Sequence, residues 1–174
     1  GFFKDVHPEW SAPEQWIVAG ATSLLFFLSI LLHELSHSVL AVRKGIPVKG
    51  ITLFLFGGIS QITREAERPF LEFIIAAVGP ISSLMLGALF AGLTFVLWNV
   101  NDHIASMASS LALINVSLGI FNLLPGFPLD GGRILRSIIW GATGNYWRAT
   151  LVANRGGQIL ALLLIGGGIT QLVF

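Results

Sequence analysis

Four stretches without a single Asp, Glu, Lys, Arg or His limit what this chain can fold into: Gln15–Leu32, Phe73–Asn101, Ile104–Leu129 and Gly156–Phe174, none shorter than 18 residues. A helix needs about 20 mainly apolar residues to cross the hydrocarbon core of a bilayer. Four such segments in 174 residues, at 54% hydrophobic and 11% charged composition, predict an all-α polytopic membrane protein. Soluble domains carry about 25% charged residues, so soluble-enzyme, disordered and collagenous classes are excluded. A net charge of +1 supplies no electrostatic footprint for nucleic acid. The absence of cysteine rules out disulfides and thiolate metal sites. The chain starts at Gly1, ends inside an apolar run and shows no cleavable signal pattern, so the expectation is a fragment or a processed chain.

About four transmembrane helices follow from the pattern. Residues 1–14 are polar and aromatic and read as an interfacial segment leading to Trp16. The first span covers Gln15 to Val42, and Arg43-Lys44-Gly45 forms a helix-stop signal. Ile51 to Ile62 is β-branched and aromatic, which predicts a small β-hairpin of two strands around Gly57-Gly58. An open strand edge is not viable against lipid, so the hairpin must line a cavity, pair with something or sit at the interface. Residues 63–69 read as a charged loop. The second span covers Pro69 to Trp98 and contains Gly79-Pro80; the third covers Ile104 to Leu124. Two prolines and three glycines forbid regular helix over Pro125–Gly132. A short helix is expected from Arg133 to Trp140, and the fourth span from Trp147 to Val173.

Nine of the ten basic residues fall between 43 and 68 or between 133 and 155; only Lys4 lies elsewhere. The positive-inside rule puts both regions in the cytoplasm and the Asn99–His103 loop outside. The hairpin is then on the cytoplasmic side. His33, Glu34 and His37 lie one to three turns from the cytoplasmic end of their span, and Asp130 follows the third span on that same side.

His33-Glu-Leu-Ser-His37 has the form H-E-x-x-H. Residues at i and i+4 share one helix face, so two imidazoles can hold one Zn²⁺ while the glutamate takes a proton from water. Alone, five residues are a modest signal. Inside a membrane span, ionisable groups are costly without a function or partners, which sharpens it. The bland alternative is a helix end whose polar residues snorkel to the interface. Catalytic zinc needs a third protein ligand. His7 and His103 map to the outer side. Asp130 is the one acidic residue between Asp102 and the C terminus, in a break where Gly131 and Gly132 allow close approach. Its other reading is an N-cap of the helix near Arg133. Asn122 has an amide suited to a developing oxyanion, or, like Asn115, to an ordinary interhelical hydrogen bond.

The His33–His37 motif, the Gly57-Gly58 hairpin, Gly79-Pro80 and Phe121-Asn-Leu-Leu-Pro-Gly-Phe-Pro-Leu-Asp-Gly-Gly-Arg133 together resemble the site-2 protease family of intramembrane zinc metalloproteases, over roughly residues 15–155. The resemblance implies one Zn²⁺ per chain held by His33, His37 and Asp130, with Glu34 as catalytic acid/base and Asn122 in the active site. It implies a membrane-embedded protein substrate, cleaved in one of its transmembrane segments by zinc-activated water. It also implies an integral protein of a prokaryotic cytoplasmic membrane, active toward the cytoplasm. Residues 1–174 would form a single domain, without the extra N-terminal span common in the family and without the C-terminal CBS pair that some members carry. A substrate unwound near the zinc could add to the hairpin edge by β-augmentation, at Ile51, Thr52, Leu53, Phe54, Gly57, Gly58 and Ile59.

Two rivals share these features. A transporter or channel with an intramembrane metal site also has broken helices and buried polar residues, but has no use for a general base beside two histidines. A scaffold with structural zinc requires a closed four-ligand site, and only three good ligands are present. Oligomeric state and substrate identity are not encoded in any motif here.

Overall fold

The computed structural model describes residues 2–54, 57–62 and 67–173. A short helix, α1 (Phe2–Val6), precedes α2 (Ala12–Arg43). α2 starts three residues before the expected point because Ser11 and Glu14 build a cap. The Ser11 backbone N–H and hydroxyl both donate to Glu14 Oε2, at 2.8 and 2.6 Å. α2 ends at Arg43, one residue past the expected Val42 and within the stop signal, and Gly45 follows with φ 82°.

Strands β1 (Val48–Phe54) and β2 (Gly57–Ile62) pair antiparallel beside α2. Gly57 and Gly58 do not form the turn, as the sequence reading had it. They open β2 and pair with Phe54 and Leu53. The two residues between the strands, Leu55 and Phe56, lie outside the described residues, as does most of the expected charged loop, 63–66. One extra residue sits in β1 between Val48 and Ile51, a bulge that bends the strand.

Helices α3 (Pro69–Leu97), α4 (Asp102–Asn122), α5 (Asp130–Thr143) and α6 (Tyr146–Val173) complete the chain. Four of these helices, α2, α3, α4 and α6, are long and apolar enough to cross a membrane. α4 begins two residues early because the Asn101 side chain caps it, accepting from the Ile104 N–H at 3.0 Å. It also ends two residues early, ahead of Pro125, which biases its predecessor out of helical geometry. α5 begins at Asp130, not near Arg133. Its N-cap is Leu129, so Asp130 is the first residue of the helix and not its cap.

α3 is the central element and packs on α2, α4 and α5, while α6 packs on α5. Large apolar side chains such as Leu24, Phe27, Met85, Leu89, Phe95 and Leu162 face outward. Ser29, His33, His37, Ser83 and Asn115 are buried. That polarity suits lipid, where apolar burial does not drive helices together and small or polar residues line their contacts. Buried Ala76, Ala105 and Ala108 serve that purpose.

The two ends of the bundle differ. At one end Trp10 stacks between His7 and His103, with ring centroids 4.0 and 4.3 Å away, and donates its indole N–H to Asp102 at 2.9 Å. This ties residues 1–14 to the start of α4. At the other end Ala41, Ile46 and Ile75 form a small apolar cluster. His33 and His37 lie on that side of α2, roughly 9 to 15 Å along the axis from Arg43.

Candidate metal centre

One turn of α2 separates His33 from His37, and their Nε2 atoms are 3.3 Å apart. Asp130 Oδ2 lies 3.1 Å from each. The imidazoles are 3% exposed and the carboxylate side chain 13%. The outer nitrogens are anchored on α3: His33 Nδ1 is 2.9 Å from Ser83 Oγ, and His37 Nδ1 is 2.6 Å from the carbonyl oxygen of Ile75. A carbonyl only accepts, so His37 carries a proton on Nδ1, and in the neutral ring Nε2 is then the acceptor that faces the carboxylate. With both rings neutral and Nε2 unprotonated, three acceptor atoms crowd a buried site, an arrangement that a cation among them relieves. Ligands about 2.0–2.1 Å from tetrahedral zinc are about 3.3 Å apart, close to the observed spacing. The donor set, two imidazoles and a carboxylate, suits that ion, and the hydrogen bonds behind both rings are the usual orienting supports of ligating histidines.

α3 forms one wall of this centre. A Cβ placed on Gly79 would lie within 2.8 Å of His33 Nε2 and would overlap the His37 ring. Glycine here is what lets the α3 backbone pass directly beside the two histidines. The sequence reading assigned close approach to Gly131 and Gly132 instead. In the structure a side chain on Gly131 would strike the carbonyl oxygens of Leu123 and Leu124, and one on Gly132 the backbone of Gly126 and Phe127. Those two glycines tuck the start of α5 under the end of α4, and so carry Asp130 to the centre indirectly.

Glu34 is buried on α2, next to His33, at 8% exposure. Asn122 is half-buried in the last turn of α4, where its amide donates to Leu118 O at 3.0 Å. Asn115 is fully buried and donates to Ser29 Oγ on α2 at 3.2 Å, an interhelical bond. Ile51, Thr52, Leu53 and Phe54 lie in β1 and pair in register with Ser60, Ile59, Gly58 and Gly57 of β2.

Sequence reasoning gave no role to Ser83 or to the Ile75 carbonyl. A signal for Ser83 exists: it lies four residues after Gly79, on the same helical face. The Ile75 contact has none, since any residue offers a carbonyl. A second acid–histidine group, His7, Glu9 and Asp102, sits at the opposite end. Its carboxylates are 62% and 56% exposed, and its members already bond Trp10 and Ser106.

The sequence pattern of peptidase family M50 matches residues 21–104 and 98–164. A Synechocystis protein, named provisionally as a zinc metalloprotease, is 44% identical over 163 residues, covering 92% of this chain and 42% of that protein. The zinc metalloprotease of Methanocaldococcus jannaschii is 34% identical over 149 residues, covering 86% and 43%. Among solved structures, the site-2 protease from Methanocaldococcus jannaschii superposes with a TM-score of 0.71 at 29% identity, covering 91% of this chain and 77% of that one. The chain spans less than half the length of the curated relatives it matches.

Proposed function

The chain belongs to peptidase family M50, and from that premise we propose that residues 1–174 form the catalytic part of an intramembrane zinc metalloprotease that cleaves a transmembrane segment of a membrane-tethered substrate. The observation that carries this reading is the convergence of His33 Nε2, His37 Nε2 and Asp130 Oδ2 within 3.3 Å of one another in a buried site.

His33, His37 and Asp130 hold the ion. Zinc held there supplies Lewis acidity and makes water a competent nucleophile near neutral pH. Glu34 accepts the proton of the attacking water on its carboxylate and returns it to the leaving amine. The Asn122 amide supplies a donor for the charge developing on the scissile carbonyl oxygen. The Ile75 carbonyl keeps His37 in the tautomer that leaves Nε2 free, and Ser83 holds the orientation of the His33 ring.

A peptide bond inside an intact helix is covered by its own turns, so the substrate must unwind before attack. The edge of the β1–β2 hairpin takes the unwound strand by β-augmentation. Both basic regions face the cytoplasm, and water reaches the centre from that side. The bacterial and archaeal sources of the relatives support a prokaryotic cytoplasmic membrane.

The test is cleavage of a synthetic transmembrane peptide containing helix-breaking residues by the purified chain in lipid nanodiscs. Zinc-dependent cleavage that Glu34→Gln stops, with zinc retained, is the expected result. A zinc-loaded chain that conducts or transports the metal and cleaves nothing would favour the transporter reading.

A further inference from the structure

Glu72 is a carboxylate buried to 2% exposure in the first turn of α3. Its Oε1 accepts from Arg136 Nε at 2.8 Å and also from Nη2 of the same guanidinium. Its Oε2 has no hydrogen-bond partner among the described residues. The Arg136 guanidinium carbon lies 5.0 Å from the ring centroid of Phe127, in the segment before α5, and 4.8 Å from that of Tyr146, at the start of α6. One side chain on α5 therefore meets α3, the α4–α5 connection and α6.

A buried ion pair is a poor source of stability. Desolvation of both charges offsets their attraction, and apolar residues of similar volume commonly do as well or better. Here half of the carboxylate also lacks a hydrogen bond from any described residue, which adds to the cost. The location of the pair offers another role. Glu72 lies one turn before Ile75, whose carbonyl holds His37. Arg136 lies six residues after Asp130 on the same helix, roughly 9 Å along its axis. The pair therefore joins the turn of α3 that orients one ligand to the helix that carries another.

We propose that Glu72 and Arg136 are positioning residues for the metal centre: their ion pair, with the guanidinium stacked on Phe127 and Tyr146, locks α5 against α3 in the register at which Asp130 meets the two imidazoles. This rests on the zinc reading above. The short helix α5 is not one of the four long apolar helices, so its alignment depends on such contacts. Loss of the pair lets α5 shift and opens the three-ligand set without removing a ligand.

The test compares Glu72→Gln, Arg136→Lys and the double variant Glu72→Met/Arg136→Met with the unaltered chain in nanodiscs. Zinc affinity is read by chelator competition, ligand geometry by the visible absorption of the Co²⁺-loaded protein, and fold by thermal unfolding. Each single variant should lose about tenfold in zinc affinity, change the Co²⁺ spectrum, and lower kcat on the synthetic peptide with KM little altered. The double variant, which removes both charges of the pair, should regain thermal stability without regaining zinc affinity or the original spectrum. Recovery of stability, affinity and spectrum together would overturn the proposal. So would unaltered affinity in all three variants, or failure of all three to fold, which would make the pair a structural element. Where a single variant alone fails to fold, the double variant decides on the same readouts. Absence of zinc binding by the unaltered chain, or zinc binding indifferent to His33→Ala, would sink the zinc reading itself.

Discussion

His37 on α2 is held by the backbone of α3: its Nδ1–H donates to the carbonyl oxygen of Ile75 at 2.6 Å. No side-chain substitution removes that acceptor. The bond fixes the tautomer, and with it the direction of the Nε2 lone pair. A mobile imidazole would otherwise have to be ordered each time a metal bound. The histidine pair on α2 is thus only as well placed as α3 is, and several consequences can be measured.

Gly79→Ala should remove the metal. The new methyl group would overlap the His37 ring and crowd His33 Nε2, while alanine favours helix over glycine by about 1 kcal/mol. Metal analysis should show zinc content reduced at least about tenfold, on the scale of lost ligand support, with the helical circular dichroism unchanged. Full zinc occupancy would mean that α3 does not form the wall of the centre.

Ser83→Ala takes away the partner of His33 Nδ1 without touching a ligand. Such orienting bonds are typically worth about 10- to 100-fold in metal affinity or activity, and chelator competition is the direct measurement. An affinity equal to that of the unaltered chain would assign Ser83 to packing alone.

Glu34→Gln and Asp130→Ala should fail in different ways. The first keeps zinc and loses about 10²- to 10⁴-fold in kcat, the usual span for a general acid/base. The second loses zinc itself. Equal zinc content in both, with equal residual activity, would take Asp130 out of the ligand set.

Proline along the hairpin tests the proposed substrate edge. Backbone N–H groups point alternately to the paired strand and away from it, and proline removes the donor. Single replacements at Thr52, Leu53, Phe54, Ile59, Ser60 and Gln61 should impair cleavage in an alternating pattern while zinc content stays constant. Uniform tolerance in a folded, zinc-loaded protein would leave the hairpin without a clamping role.

Orientation is open to labelling. Val100 is exposed between α3 and α4, and residues 1–174 contain no cysteine to interfere. Val100→Cys in intact cells should react with an impermeant maleimide from outside. Reaction only after the cytoplasmic face is opened would invert the assignment from basic residues.

The class of the molecule and half of its centre are local properties, and they were legible without a fold. Uncharged runs and their lengths identify membrane helices because the bilayer imposes a thickness on each segment separately. His33 and His37 announce themselves because four residues is one helical turn, whatever surrounds it. Asp130 stood in the sequence with two readings, ligand or cap. Only the packing of α5 on α3 puts Oδ2 3.1 Å from both imidazoles and gives the cap to Leu129, which removes the cap reading. The close-approach glycine was misassigned for the same reason. Gly79 and Gly131 are equivalent as letters, and differ only in what a side chain would strike. The Ile75 carbonyl carries no residue-specific signal at all, and Glu72 and Arg136 are 64 positions apart. Their pairing depends on which segments meet across the bundle, a property of long-range packing that no short window of sequence contains.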